Sequence, residues 1–137
     1  MRLIRSGQVE PERLTADKNG NPAKDAFIQV MVPEGPNFVM RVFTVKPGGH
    51  TPRHSHSFEH EVYVLAGKGR ASGSSEFDMT PGDAIFVPAG DLHCFANTGT
   101  EDLKIICVVP RSDAGRAPSK RVGRLVPGAR KRGGGAA

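Results

Sequence analysis

Apolar and polar residues alternate along most of this chain in short runs, and the runs are separated by Gly, Pro, Asn and Asp. Six runs read as strands: 26–32 (AFIQVMV), 37–45 (NFVMRVFTV), 60–67 (HEVYVLAG), 84–88 (AIFVP), 91–97 (DLHCFAN) and 103–109 (LKIICVV). They are rich in β-branched and aromatic residues, which suit a pleated, half-buried surface. GRASG and SSEFDM between them have the form of a hairpin, TPGD at 80–83 is a turn, and KPGGH at 46–50 is expected to end the second strand. The first twenty residues, with their short apolar start at Leu3 and Ile4, read as a short strand and a loop. No segment before Arg111 keeps a helical period for three turns. Many short strands joined by turns predict an all-β sandwich or barrel.

Composition agrees with this reading. The 137 residues include 17 Gly and 11 Pro, enough punctuation for many turns, and the length suits one domain with a tail. The net charge of +5 is unevenly spread. From Arg111 onward there are eight Lys and Arg against one Asp, a net +7; the other eleven basic and thirteen acidic residues leave −2. We therefore expect a near-neutral folded domain over 1–110 and a flexible basic tail over 111–137, poor in large apolar residues. A solubilising role suits that tail better than nucleic-acid binding. No apolar run reaches the roughly 20 residues of a membrane helix, and the start MRLIRSGQVEPERL lacks the apolar centre of a signal peptide. A cytoplasmic protein with no membrane partner is expected. The two cysteines, Cys94 and Cys107, form no CxxC pair and are expected as reduced thiols.

Of five histidines, four crowd into GGHTPRHSHSFEHEVYVLAGKG: His50, His54, His56 and His60. Strand side chains alternate faces with period two. His54, His56 and His60 share parity, so a continuous strand would aim all three into the barrel. One inward histidine is ordinary core. Three on one face leave polar nitrogens to satisfy, at roughly 1–3 kcal/mol each if they stay unpaired, and a divalent metal removes that cost. A metal site needs ligands from separate strands, and the fifth histidine, His93, can close it. His50 follows two glycines and reads as a surface loop residue.

These two blocks resemble the paired motifs of the cupin superfamily. Gly48, His54, His56 and Gly67 match the first, G(X)5HXH(X)3,4E(X)6G. Gly82, Pro88, Gly90, His93 and Asn97 match the second, G(X)5PXG(X)2H(X)3N, at every position. The resemblance covers about 37–110 and implies a jelly-roll barrel, the double-stranded β-helix. Where the family usually has a ligating glutamate this chain has His60; Glu61, one residue later, has outward parity. The implied metal set is His54, His56, His60 and His93. The chain is most similar to small single-domain cupins whose four histidines bind manganese, although Fe, Ni, Co, Cu or Zn also accept imidazole. In that group a cysteine on the last core strand points at the metal. Cys107 matches it, and its parity with Leu103, Ile105 and Val109 independently turns it inward. Cys94 has the parity opposite to His93, so no disulfide to Cys107 is expected.

Phe38, Met40, Val42, Val62, Val64, Phe95 and Ile105 are read as apolar residues around the site that suit a small pocket, although for most of them plain barrel core is the preferred reading. Arg41 is a candidate anion contact, although a solvated or interfacial arginine is the preferred reading. Four neutral imidazoles leave a six-coordinate metal with two open positions. That suits a small-molecule oxidoreductase of dioxygenase or peroxide-using type; the alternative is a non-catalytic binding or sensing module. An isomerase would need an inward base, and no inward carboxylate is evident. Similar small cupins form homodimers whose N-terminal strand crosses to the partner sheet, a role open to MRLI.

Overall fold

The structure, a computed structural model, describes residues 1–111; the tail expected over 111–137 lies, apart from Arg111, outside the described residues. The chain forms nine strands and no α-helix among these residues: β1 (Glu12–Ala16), β2 (Pro22–Val32), β3 (Phe38–His50), β4 (His60–Ala66), β5 (Gly69–Gly73), β6 (Phe77–Met79), β7 (Ala84–Val87), β8 (His93–Asn97) and β9 (Leu103–Pro110). A single 3₁₀ turn, Ser6–Gln8, precedes them. All strand pairs are antiparallel, in the order β6-β5-β8-β3-β9-β4-β7, with β2 also on β3 and β1 on β2. The sheet curls into the expected all-β barrel. Its core is Val45, Val62, Val64, Met79, Leu103 and Ile105, each at most 1% exposed, with Cys107 beside them.

Two expectations are corrected, the end of the second strand and the surface-loop position of His50. KPGGH does not end the second strand: β3 runs on to His50. Gly48 sits at φ +84°, a backbone state that side chains disfavour. At Gly49 an added Cβ would fall 2.4 Å from the Lys24 carbonyl oxygen. Only glycines there let β3 bend while β2 follows, with a register shift between Lys24 and Ala26. The bend carries the chain from its long pairing with β9 to β8, where His50 meets Ala96. His50 is thus a half-buried strand residue, its Nδ1 2.8 Å from the Thr51 carbonyl oxygen. MRLI forms no strand; Met1 and Leu3 are exposed, and the first strand is β1 on β2 of the same chain.

Asn97, the last residue of the second motif, is structural. Its Nδ2 donates to the carbonyls of Val45 and Glu101, and its Oδ1 accepts from the Gly99 amide, each at 2.8 Å. It ties the β8–β9 turn to β3.

Replacing Gly49 with Ala forces β2 and β3 apart. The expected cost is roughly 1–3 kcal/mol, to be read as a lower urea midpoint at unchanged slope.

Candidate metal centre

His54, His56, His60 and His93 meet, but not along one strand. His54 and His93 form an isolated bridge: the His54 amide donates to the His93 carbonyl at 3.0 Å and the reverse bond is 2.9 Å. Their rings stand 4.9 Å apart, centroid to centroid. His56 lies in the following loop, where its carbonyl accepts from the Gly90 amide at 2.7 Å. The second motif thereby clamps the first. His60 opens β4 opposite Val87. Its ring centroid lies 4.6 Å from those of both His56 and His93, and its Nε2 is 3.1 Å from His93 Nε2.

The protons on these rings follow from their neighbours. His56 Nδ1 lies 2.9 Å from the Phe58 carbonyl oxygen and His93 Nδ1 2.8 Å from that of Asp91. A carbonyl only accepts, so both Nδ1 atoms carry hydrogen and both Nε2 atoms present lone pairs. His54 Nδ1 donates to Asp17 Oδ2 at 2.8 Å, with the same result. His60 Nδ1 lies 2.9 Å from Cys107 Sγ. For its Nε2 to present a lone pair, Nδ1–H must donate to that sulfur, which also accepts from Arg41 Nη2 at 3.1 Å. His56 Nε2 is buried with no hydrogen-bond partner. Ligand atoms of His54, His56 and His93 all lie within 4.8 Å of one another, a spacing that could hold a metal ion. A buried acceptor with nothing to accept from, beside further imidazole lone pairs, is what a divalent cation satisfies.

All four rings resist protonation. Burial, then the other histidines, pushes His56 down to about 3. Burial likewise takes His93 to about 4, against the Asp91 carbonyl, and His60 well below its usual value. Burial lowers His54 too, with Asp17 opposing. The site is therefore four neutral donors at pH 7.

Asp17 carries the signal that the sequence hid. Its Oδ1 accepts from the amides of Asn19 and Asn21 at 2.9 and 2.8 Å, and its Oδ2 from Asn21 Nδ2 and His54 Nδ1. Burial alone would raise its pKa; these hydrogen bonds outweigh it and keep the carboxyl below the ordinary range. DKNGN at 17–21 reads as a turn, and nothing in its spacing points to a histidine 37 positions on.

A cavity of about 350 Å³ adjoins the histidines, lined among others by Leu14, Ile28, Arg41, Phe43, His60 and Cys107. The reading of Arg41 as solvated or interfacial is corrected: it is 3% exposed and pairs with Cys107 across β3–β9. Phe38 and Met40 are exposed, and Val42, sharing their parity, is half-buried; they stand on the opposite face, and Arg41 and Phe43 take their place. Phe95 and Ile105 do line the cavity, while Val62 and Val64 are core. Two carboxylates border it, the exposed Glu12 and the half-buried Asp17, and the latter is inward against the expectation of none. Burial raises the Cys107 thiol pKa, opposed by Arg41. Cys94 is also a buried free thiol, its Sγ 3.2 Å from the Thr51 carbonyl oxygen. Glu61 stands outside, beside Glu59.

Comparison with known proteins places these residues in a known setting. The cupin domain family matches residues 41–109, about half of the chain. The chain is 34% identical over 71 residues to 1-methylthio-D-xylulose 5-phosphate methylsulfurylase of Rhodospirillum rubrum, covering 51% of this chain and 46% of that protein. It is 35% identical over 78 residues to auxin-binding protein 1 of Arabidopsis thaliana, covering 50% and 39%. The chain thus spans less than half the length of these curated relatives. Among solved structures, the polyketide cyclase RemF from Streptomyces resistomycificus superposes with a TM-score of 0.73 at 27% identity, over 91% of this chain and 87% of that one.

Two outcomes are expected. Asp17→Asn loses the carboxylate charge and turns an amide toward backbone donors. It should weaken metal affinity about 10- to 100-fold, measured by competition with a chelator. Below pH 6.5 the unfolded metal-free chain takes up protons that the folded chain refuses until about pH 4 at His93 and about pH 3 at His56. Stability should therefore fall steadily as pH drops through that window. Urea midpoints should show this fall, with a smaller slope in His56→Gln.

Proposed function

The chain belongs to the cupin domain family, and from that premise we propose that it holds one divalent transition metal through His54, His56, His60 and His93 and acts as a small-molecule oxidoreductase of dioxygenase or peroxide-using type. The observation that carries the metal reading is the ring orientation. Three Nδ1 atoms donate to unambiguous acceptors, and the buried His56 Nε2 is left with an unused lone pair. Manganese is the proposed metal, on the resemblance to four-histidine cupins; Fe, Ni, Co, Cu and Zn are the others this donor set accepts. Four neutral ligands leave the ion its full charge, and when bound it would supply open positions for substrate and oxidant.

The chain's own residues define what could react there. Leu14, Ile28, Phe43 and Phe95 give the cavity apolar walls that exclude water. Arg41 adds a fixed positive charge on the same wall, held against Cys107. A small, mostly apolar molecule with an oxygen-rich or anionic end fits both. His60 and Cys107 share a hydrogen bond, so the sulfur orients a proposed ligand rather than needing to react itself. The protein is read as a cytoplasmic homodimer; no helix of the described residues is long and apolar enough to cross a membrane.

A second reading is ligand capture without turnover. It is favoured by the likeness to an auxin-binding protein and by a cavity of small-molecule size.

Elemental analysis of untagged protein, beside His60→Ala, tests the metal. About one equivalent of Mn or Fe, clearly reduced in the variant, is expected. No metal, and none taken up on reconstitution, overturns the reading. Metal-loaded protein is then offered enols, diketones and alkenes; binding without consumption of oxygen or peroxide selects the capture reading.

A further inference from the structure

Arg41 stands where packing has no use for a charge. In register across the sheet its neighbours are Val30 on β2 and Cys107 on β9, and beyond Cys107 come Val62 on β4 and Ile85 on β7. Residues in direct register project to one side, and this row faces inward: Cys107, Val62 and Ile85 are buried. A guanidinium in such a row costs desolvation that a methionine of similar length would not. Two contacts fix its place. Its Nη2 lies 3.1 Å from Cys107 Sγ, and its Cζ lies 5.1 Å from the centre of the Phe43 ring. A thiol and a ring position the group without the full negative charge of a carboxylate.

The other charges of the cavity lie away from this one. Glu12, Arg13 and Lys18 stand at the exposed rim, where Arg13 lies 3.4 Å from Asp25. Asp17 gives both oxygens to its own turn and to His54. Among the described residues of the wall, Arg41 is the one buried side chain with a permanent positive charge. A divalent ion on the histidines would add two more. A ligand entering this space is therefore favoured by negative charge of its own. Leu14, Ile28, Phe43, Phe95 and Ile105 line much of the rest. Such walls disfavour a strongly hydrated dianion and favour a monoanion on an apolar body. A carboxylate is a monoanion whose two oxygens match the planar fork of a guanidinium.

We propose that Arg41 determines the specificity of the cavity and that the ligand is a small carboxylate with an apolar body, its carboxylate held by the guanidinium and its body against Leu14, Ile28 and Phe43. This rests on the small-molecule reading of the cavity and gives that molecule a class. It holds whether the ligand is turned over or only captured, because the anionic end is recognised by the chain's own charge.

Calorimetric titration of the full chain, as purified and after metal removal by a chelator, tests it with matched probes. These are phenylacetate against phenylacetamide, hexanoate against hexanamide, and phenyl phosphate. Each carboxylate should bind about 10- to 100-fold more tightly than its amide, and phenyl phosphate more weakly than phenylacetate. Arg41→Gln should bring acid and amide to within about threefold of each other, with the strand signal in circular dichroism retained. A residue that only packed would weaken both alike. The preference should also survive metal removal in the wild type, and should Arg41→Gln not fold, that result decides alone. Equal binding of acid and amide by the wild type, or tightest binding of phenyl phosphate, overturns the carboxylate class. A preference that vanishes with the metal, or that Arg41→Gln retains, overturns the role of Arg41 and leaves the metal centre standing. Binding of every probe weaker than about 1 mM overturns the proposal, while elemental analysis, read separately, decides the metal reading.

Discussion

The centre depends on where four imidazole protons sit. Each Nδ1 has a partner outside the cluster, and the partners differ in kind: a carboxylate, two backbone carbonyls and a thiol sulfur. The carboxylate and the two carbonyls force lone pairs onto the inner side of His54, His56 and His93. His60 Nε2, 3.1 Å from His93 Nε2, either donates to that nitrogen or, with its proton on the Cys107 side, presents a fourth lone pair to a cation. Burial meanwhile keeps the rings from relieving the crowding by taking up protons. The fold therefore holds a buried nitrogen without a partner, His56 Nε2, beside other unprotonated rings, a need that a cation would meet and that the rest of the barrel has to sustain.

The barrel sustains it with backbone more than with side chains. The reciprocal His54–His93 bonds fix two rings, the Gly90 amide fixes the loop carrying the third, and β4 fixes the fourth. The His54–His93 bridge follows directly on the bend in β3, which lets one strand serve β9 along most of its length and β8 at its end. Position is thus set by elements far apart in sequence. Rotation of the rings is set by acceptors close to them, except at His54 and His60.

Much of this could be read from the sequence. Strand alternation, turn residues and motif spacing led to the barrel, to the gathering of His54, His56, His60 and His93, and to the inward side of Cys107. Some of it was right for another reason: His54 and His56 share a direction because a bridge and a loop aim them, not a continuous strand. The failures are physical. A guanidinium is costly to bury, which points Arg41 outward, yet a buried sulfur accepts from it. By strand parity an inward Arg41 turns Phe38, Met40 and Val42 to the outer face. Asp17 is hidden from sequence reasoning because the end of β1 reaches the cavity only through its pairing with β2, a long-range event without a local pattern.

Asp17 divides its two oxygens between different tasks. One holds the backbone of the β1–β2 turn; the other holds that turn's own Asn21 side chain and a histidine ring. The segment recognisable as family begins only at residue 41, so the part that identifies the protein and the part that completes its centre are not the same. A barrel trimmed to its recognisable motifs would keep all four histidines and lose the anchor of one. Divergence in an unremarkable hairpin is then a route by which barrels with identical histidines could come to differ in how firmly those rings are held.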